Sequence, residues 1–268
     1  MFYHKGQILK NQSSNKKNII VTGALGLLGS EFVRTISEFG ENPILIDIDD
    51  SNSSRVQGLP ENFRSNYFMV DITQEIEVER FKERLSAKKV MLAGLVNNAA
   101  INPKVEEGKK LCGFESFDPI DWQLEVAVGL TGAILMTKHI GSLMVDQGSK
   151  GSIVNISSDL GIIAPDQRLY SGGMKKPVGY SVIKHGIIGL TKYTSTYWPG
   201  QIRCNALCPG GIKNGQSEEF LKLIATRIPM GRMAHKHEYN SALNFLLSDQ
   251  SSYMTGQTIV IDGGRSAW

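Results

Sequence analysis

Short, continuous apolar runs recur along the chain, each followed by a longer stretch that favours helix. That alternation constrains the fold more than any other feature. The runs cover residues 18–22, 43–47, 67–70, 93–97, 151–157, 201–207 and 257–261. They do not alternate polar with apolar residues, so each strand is expected to be buried on both faces. Helices are predicted between them at 27–39, 74–87, 120–145, 177–198, 217–226 and 237–247. Strand-helix alternation needs right-handed crossovers and implies an α/β fold, a doubly wound parallel sheet with helices on both faces. No internal repeat and no Pro- or Ser-rich linker divides residues 18–268, which are read as one domain. Residues 1–17, polar at 11–15, are read as a flexible N-terminal arm.

Composition removes several classes of function. The chain has 268 residues, 41% hydrophobic, which is enough for a sizeable core. Its formal charge is +3, but Lys5, Lys10, Lys16 and Lys17 all lie in the arm, where there is no acid. The remainder is therefore close to neutral, and nucleic acid is not expected as a partner. No apolar run is long enough for a membrane span, and the polar N-terminus does not read as a signal peptide. Cys112, Cys204 and Cys208 are an odd set, read as reduced thiols in a cytoplasmic protein. Glycine is in excess, at 28 residues, and its placement carries the functional information.

The first strand candidate runs directly into Gly23-Ala24-Leu25-Gly26-Leu27-Leu28-Gly29, after which an amphipathic helix begins. A strand, a tight glycine turn and a helix N-terminus form a pyrophosphate site, because backbone N–H groups and the helix dipole favour an anion. Gly23, Leu25, Gly26, Leu27 and Leu28 are assigned to it. The second strand ends at Asp47, 24 residues after Gly23. An acid there accepts hydrogen bonds from ribose hydroxyls and repels a 2′-phosphate. No Arg or Lys stands beside it in the sequence, so NAD is favoured over NADP. Asp71, past the third strand, and Asn97-Asn98-Ala99-Ala100, ending the fourth, fall at strand carboxyl ends where ligands of open α/β sheets collect.

Tyr180 and Lys184 are four residues apart at the start of a helix and so share one face. An ammonium beside a phenol favours the phenolate, and such a pair can exchange the proton that accompanies hydride transfer. In a chain with eight tyrosines this spacing alone is weak. The fifth strand adds Ser158 at the same sheet edge, where its hydroxyl can meet a substrate oxygen.

Taken in order, the glycine turn, Asp71, Asn97–Ala100, Ser158, Tyr180/Lys184 and Cys208-Pro209-Gly210 resemble the short-chain dehydrogenase/reductase family over residues 18–264. The resemblance implies a Rossmann-like domain with Tyr180 as general acid/base and Lys184 binding the nicotinamide ribose while lowering the tyrosine pKa. Ser158 would orient the substrate and Asp71 would contact adenine. Ile72, Asn98, Ala99, Ala100, Pro209, Gly210 and Ile212 would complete the cofactor site. It also implies a homodimer or homotetramer formed by pairing the helices near 120–145 and 177–198.

The chain departs from the family pattern at three points. Leu27 stands where single-domain members have a middle glycine, a spacing similar to that of the sugar-nucleotide-modifying branch. Gly129 stands where the family commonly has an asparagine that holds a relay water, leaving room that a water would fill. Ser158 and Tyr180 are 22 residues apart, against a dozen or so, so residues 164–176 must loop out beside the site.

Loops form the substrate wall in such folds. Here residues 102–113, 166–176 and 211–216 carry Asn102, Lys104, Arg168, Lys175, Lys213, Asn214 and Gln216. Few large apolar side chains accompany them, which suits a polar, sugar-derived substrate better than a steroid or acyl chain. The Ala-Pro-Asp-Gln-Arg run, Pro-Gly-Gly-Ile and the terminal Asp-Gly-Gly-Arg-Ser-Ala-Trp resemble a bacterial group linked to flagellin and surface-glycan sugar modification. On that resemblance residues 211–233 are a mobile lid. His235, His237 and Glu238 lack a third ligand at sensible spacing, so no metal is expected. His139, His185, Cys204, Cys208 and the tryptophans read as packing or surface residues. The expected function is an NAD(H)-dependent oxidoreductase acting on a secondary alcohol or ketone. Two rivals are an NAD-retaining sugar epimerase or dehydratase, and a catalytically weak cofactor-binding or assembly protein.

Overall fold

The computed structural model describes residues 16–102, 114–170 and 174–268. Most of the proposed arm, and Lys104 and Cys112, lie outside these residues. The seven apolar runs form seven strands: β1 (Asn18–Thr22), β2 (Asn42–Asp47), β3 (Tyr67–Met69), β4 (Leu92–Asn97), β5 (Gly151–Ile156), β6 (Ile202–Pro209) and β7 (Thr258–Ile261). They pair in parallel in the order β3-β2-β1-β4-β5-β6-β7. The order reverses beside β1, so a crevice opens between the carboxyl ends of β1 and β4, where ligands of such sheets bind.

The principal helices are α1 (Leu27–Glu38), α2 (Glu75–Ala87), α3 (Pro119–Asp146), α4 (Val178–Tyr197), α5 (Glu218–Ala225) and α6 (Asn240–Leu247). Short turns at Ser54–Gln57 and Glu61–Arg64 follow β2 and escape the sequence patterns, being only four residues each. Period-2 geometry sorts each strand between two cores. Ile20 faces a cluster with Phe81, Leu85, Met136 and Ile140 from α2 and α3. Its neighbours Ile19 and Val21 face Phe32, Ile36, Leu243 and Leu246 from α1 and α6. Phe32 and Phe81 are fully buried, each stabilising the fold by about 1.5–3 kcal/mol relative to an exposed ring.

Among the described residues only α3, predicted as a helix at 120–145, is long and apolar enough to cross a membrane, where the sequence reading finds no run of that length. Most of its apolar window is buried in the protein, because it packs on the sheet as a core helix. Asp118 caps it, its carboxylate accepting from the Ile120 amide at 2.8 Å, with Pro119 in the first turn. Two wider turns interrupt α3, at Ala127–Thr131 and Thr137–Gly141. Lys17, assigned to the arm by sequence, lies against the sheet: its amide donates to Glu41 at 2.6 Å and its ammonium is 3.6 Å from Asp249.

Candidate active site

The turn after β1 is built from approaches too close for side chains. Gly23 has φ of +63°, and a Cβ there would lie 2.8 Å from the Ala99 Cα. A Cβ on Gly29 would run into the Gly23 carbonyl, so α1 packs directly on the turn. Gly26 begins α1 with no side-chain cap, and the first helical turn holds no acid. The orphan amides are thus left for an anion. Leu27 is exposed, whereas Leu28 packs beneath the turn.

Neighbouring strand ends are tied to this turn. The Thr22 hydroxyl accepts from the amides of Asn98 (3.0 Å) and Ala99 (3.1 Å). Asn98 Nδ2 donates to the carbonyls of Thr22 (2.9 Å) and Gly23 (3.1 Å). The Asp47 carboxylate accepts from Leu25 N (2.8 Å) and Ile48 N (2.9 Å). Asp71 Oδ1 accepts from the Thr73 amide and hydroxyl at 2.9 and 2.7 Å, and Ile72 is buried. Ala100 is exposed at the same edge. Pro209 ends β6, Gly210 lies so close to Asp262 that a Cβ would be 2.7 Å from its Cα, and Ile212 bridges to Ala234. The glycine cradle, the uncapped helix end and the acid at the end of β2 fit a dinucleotide. One cation was not legible beside Asp47: Arg55 donates to Leu25 O at 2.7 Å while pairing with Asp49 at 2.6 Å.

Ser158 follows β5 and opens the turn Asp159–Gly161. Ser157 Oγ donates to the Lys184 carbonyl at 2.7 Å, and Gly161 packs on the same peptide. These contacts fasten the turn to α4 and bring Ser158, Tyr180 and Lys184 together, with the Ser158 and Tyr180 hydroxyls adjacent. Lys184 is buried, donates to Ile156 O at 2.8 Å and stands 5.7 Å from the Tyr180 ring centroid. Lys176, not singled out by sequence, stands 4.3 Å from that centroid and donates to Asn102 Oδ1 at 2.5 Å.

Burial pushes the Tyr180 phenol up to about 12; Ser158 opposes this and Asp159 adds to it. The expected lowering by Lys184 does not prevail in this arrangement. Its ammonium donates one of its three N–H groups to the Ile156 carbonyl and is itself pushed down to about 8 by burial. Burial also pushes Lys176 down to about 8, against Glu125 and Asp159.

The space beside Gly129 is not open. A Cβ there would lie 2.8 Å from Ile183 Cγ2, so a side chain from α4, rather than room for water, fills the place of the family's asparagine. Gly129 itself is buried within one of the two wide turns of α3.

Of the long segment between Ser158 and Tyr180, the end of its first part, at Leu169 and Tyr170, packs rather than projecting. Leu169 joins Ile224, Ile228 and Met233 in a small third core, with Tyr170 and Phe220 at its side. Residues 211–233 are thereby joined to the insertion; residues 171–173 lie outside the described residues. Arg168, read as a possible substrate contact, is exposed and pairs with Asp166 at 2.8 Å. Lys175, Lys213 and Asn214 are exposed.

Glu238 is committed to Arg232 (2.7 Å to each nitrogen) and to the His235 amide, and the His235 and His237 rings stack at 5.6 Å between centroids. A group that the sequence spacing hides lies on the other flank: Glu75, Glu79 and His139. There Lys138 already bonds Glu75, and His139 Nε2 lies 3.0 Å from the same carboxylate. Cys204 and Cys208 are buried free thiols, both pushed up by burial.

A family model described as enoyl-(acyl carrier protein) reductase matches residues 23–266. The chain is 31% identical over 255 residues to the cis-4-hydroxycyclohexanecarboxylate dehydrogenase of Sinomonas cyclohexanicum, covering 92% of this chain and 96% of that protein. Among solved structures it is similar to a short chain dehydrogenase from Leptospira borgpetersenii with bound NAD+, at 30% identity and a TM-score of 0.85, over 99% of this chain and 100% of that one. It is also similar to the aldohexose dehydrogenase of Thermoplasma acidophilum, at 25% identity and a TM-score of 0.79, over 94% and 95% of the two chains.

Proposed function

Because the chain belongs to the short-chain dehydrogenase/reductase family and is an NAD(P)-dependent oxidoreductase acting on a CH–OH group, we propose that its substrate is polar and sugar-derived and its cofactor NAD(H). NAD(H), when bound, takes or gives the hydride at a secondary alcohol or ketone carbon. Tyr180 exchanges the accompanying proton at its phenolic oxygen, and Ser158 orients the substrate oxygen beside it. Lys184 holds the nicotinamide ribose. Gly23, Leu25, Gly26, Leu27 and Leu28 receive the pyrophosphate. Asp47, Asp71, Ile72 and residues 98–100 line the adenosine side, and Pro209, Gly210 and Ile212 the nicotinamide side. Asp47 supports NAD over NADP, as does the NAD+ bound in the Leptospira relative.

The observation that carries the substrate reading is Lys176. Its ammonium, 4.3 Å from the catalytic ring's centroid and bonded to Asn102, puts charge and hydrogen-bonding capacity beside the proton-transfer centre. A pocket built for an acyl or steroid substrate would present apolar side chains there instead. Sugar modification of flagellin or surface glycans is the narrower form of this proposal. Exposed Ile120, Leu124 and Ile134 on α3 with Val182, Tyr193 and Tyr197 on α4 support a homodimer or homotetramer, and the free thiols support a cytoplasmic enzyme.

The test is a panel of sugars, sugar acids and sugar phosphates, with apolar alcohols for contrast, assayed with NAD(H) and NADP(H). Tyr180→Phe should abolish turnover of the best substrate and leave NADH binding, read by fluorescence, nearly unchanged. Full turnover by that variant, or activity confined to apolar alcohols, refutes the proposal.

A further inference from the structure

The proton-transfer centre is wired to the far end of the chain. Asp159, next to Ser158, is buried. Its Oδ1 accepts from Ser158 Oγ at 2.8 Å and from the Leu160 amide at 2.8 Å. Its Oδ2 is held by Arg265 Nη1 at 2.8 Å, with the two side chains only 3% and 10% exposed. Arg265 is fixed in turn, because Asp262 accepts from the amides of Gly264 (2.9 Å) and Ser266 (2.7 Å) around it.

A serine hydroxyl has one proton to donate and two lone pairs to offer. Here the proton goes to Asp159 and one lone pair accepts from the Leu160 amide at 3.2 Å, which leaves one lone pair as an acceptor toward the Tyr180 phenol. The help Ser158 gives the phenolate needs the same proton that Asp159 holds. We propose that Arg265 is a positioning residue for the reaction: by holding Asp159 it keeps the Ser158 proton turned away from Tyr180 and leaves Ser158 an acceptor on that side. Without Asp159, the serine proton is free to turn toward the Tyr180 oxygen. This rests on the roles proposed above for Ser158 and Tyr180. The ionisable groups around Tyr180 are Lys184 on α4, Lys176 before it, Tyr170 in the insertion, Cys208 on β6 and Asp159 after β5, with Arg265 behind Asp159.

A buried ion pair can be replaced by apolar residues without loss of fold, whereas removing one partner strands a charge. The informative variant is therefore the double substitution Asp159→Leu/Arg265→Met. Titration of Tyr180 in the NAD-saturated enzyme is read from the phenolate ultraviolet band, taking the difference between each protein and its own Tyr180→Phe form. The double variant should release the Tyr180 proton at least about tenfold more readily, a shift of about one pH unit downward. Two effects act together there, since the carboxylate is gone and the serine can donate to the phenolate. Arg265→Lys, which keeps the charge, should titrate like the parent. If that double variant does not fold, Asp159→Asn/Arg265→Gln, which keeps the shapes and strands no charge, should move the same way. An unmoved or raised Tyr180 titration in the folded variant overturns the inference and marks the pair as merely structural. Turnover surviving in Tyr180→Phe would instead overturn the parent proposal, so the two failures are distinguishable.

Discussion

Gly129→Ala tests whether α4 has taken the space that the family gives to a side chain on α3. The new Cβ would stand 2.8 Å from Ile183 Cγ2 and 3.8 Å from its Cδ1. Carbon contacts settle near 3.5–4.0 Å, so something must yield by roughly 1 Å. Little can. Ile183 is 3% exposed and β-branched, which makes it stiff at χ1, and the next residue's carbonyl is held by Ser157. Overpacking of this kind costs about 1–3 kcal/mol. Helix propensity opposes it, since alanine gains up to about 1 kcal/mol over glycine in a helix. The sign therefore decides the question. Beside an open, water-filled space, Gly129→Ala would stabilise the protein; against Ile183 it should lower the melting temperature, by roughly 2–4 °C for each net kcal/mol in a chain of this size. Thermal unfolding followed by circular dichroism reads this directly. Ile183→Ala should itself cost about 2–5 kcal/mol through the cavity it leaves. In the double variant the new methyl occupies part of that cavity, so the loss should fall short of the sum by at least about 1 kcal/mol. A raised melting temperature in Gly129→Ala, or strict additivity in the pair, refutes the packing account.

Two further outcomes are expected. Asp47→Ala removes the carboxylate that bridges Leu25 and Ile48 and leaves Arg55 at the same turn, so the ratio of NADPH to NADH affinity should rise about tenfold in fluorescence titrations; an unchanged ratio would detach Asp47 from cofactor choice. For Lys184, burial lowers the ammonium pKa from 10.5 to about 8. Between those values the unfolded chain holds a proton the folded chain has lost, so this residue's contribution to stability rises with pH across that window and is flat below it. Unfolding free energies of wild type minus Lys184→Met, measured by denaturant titration, should therefore climb from pH 8 toward 10.5, and a falling difference would contradict the assigned burial.

The sheet is legible in the sequence because strands buried on both faces need continuous apolar runs, and a run such as 18–22 carries that signature locally. The glycine turn is legible for a similar reason: Gly23 and Gly29 are required by backbone approaches within a few residues of each other, apart from Ala99. What escaped depends on residues distant in sequence. Arg265 and Asp159 are 106 positions apart, and neither has a local pattern that demands the other. Arg55 reaches Leu25 across 30 positions, and Ile183 fills the space at Gly129 from another helix. Lys176 did leave a trace, since it precedes Tyr180 by four residues just as Lys184 follows it by four, but it lies before the helix, where that spacing has no fixed geometry.

The insertion shows most clearly what this means for function. In the sequence reading, residues 164–176 loop out beside the site and 211–233 are expected to be a mobile lid. In the folded chain Leu169 shares a core with Ile224, Ile228 and Met233, and Asp166 lies 3.4 Å from Arg227. The C-terminal turn closes the unit: Met230 N donates to Gly263 O at 3.1 Å, and Cβ atoms on Gly263 and Gly264 would meet Ile228 and Pro229 at 2.7 and 2.8 Å. Both glycines have positive φ, so that turn is shaped to lie against Ile228 and Pro229. The same turn delivers Arg265 to Asp159. Any movement of 211–233 must therefore carry the insertion and the C-terminal turn with it, and it reaches Ser158 through one buried ion pair.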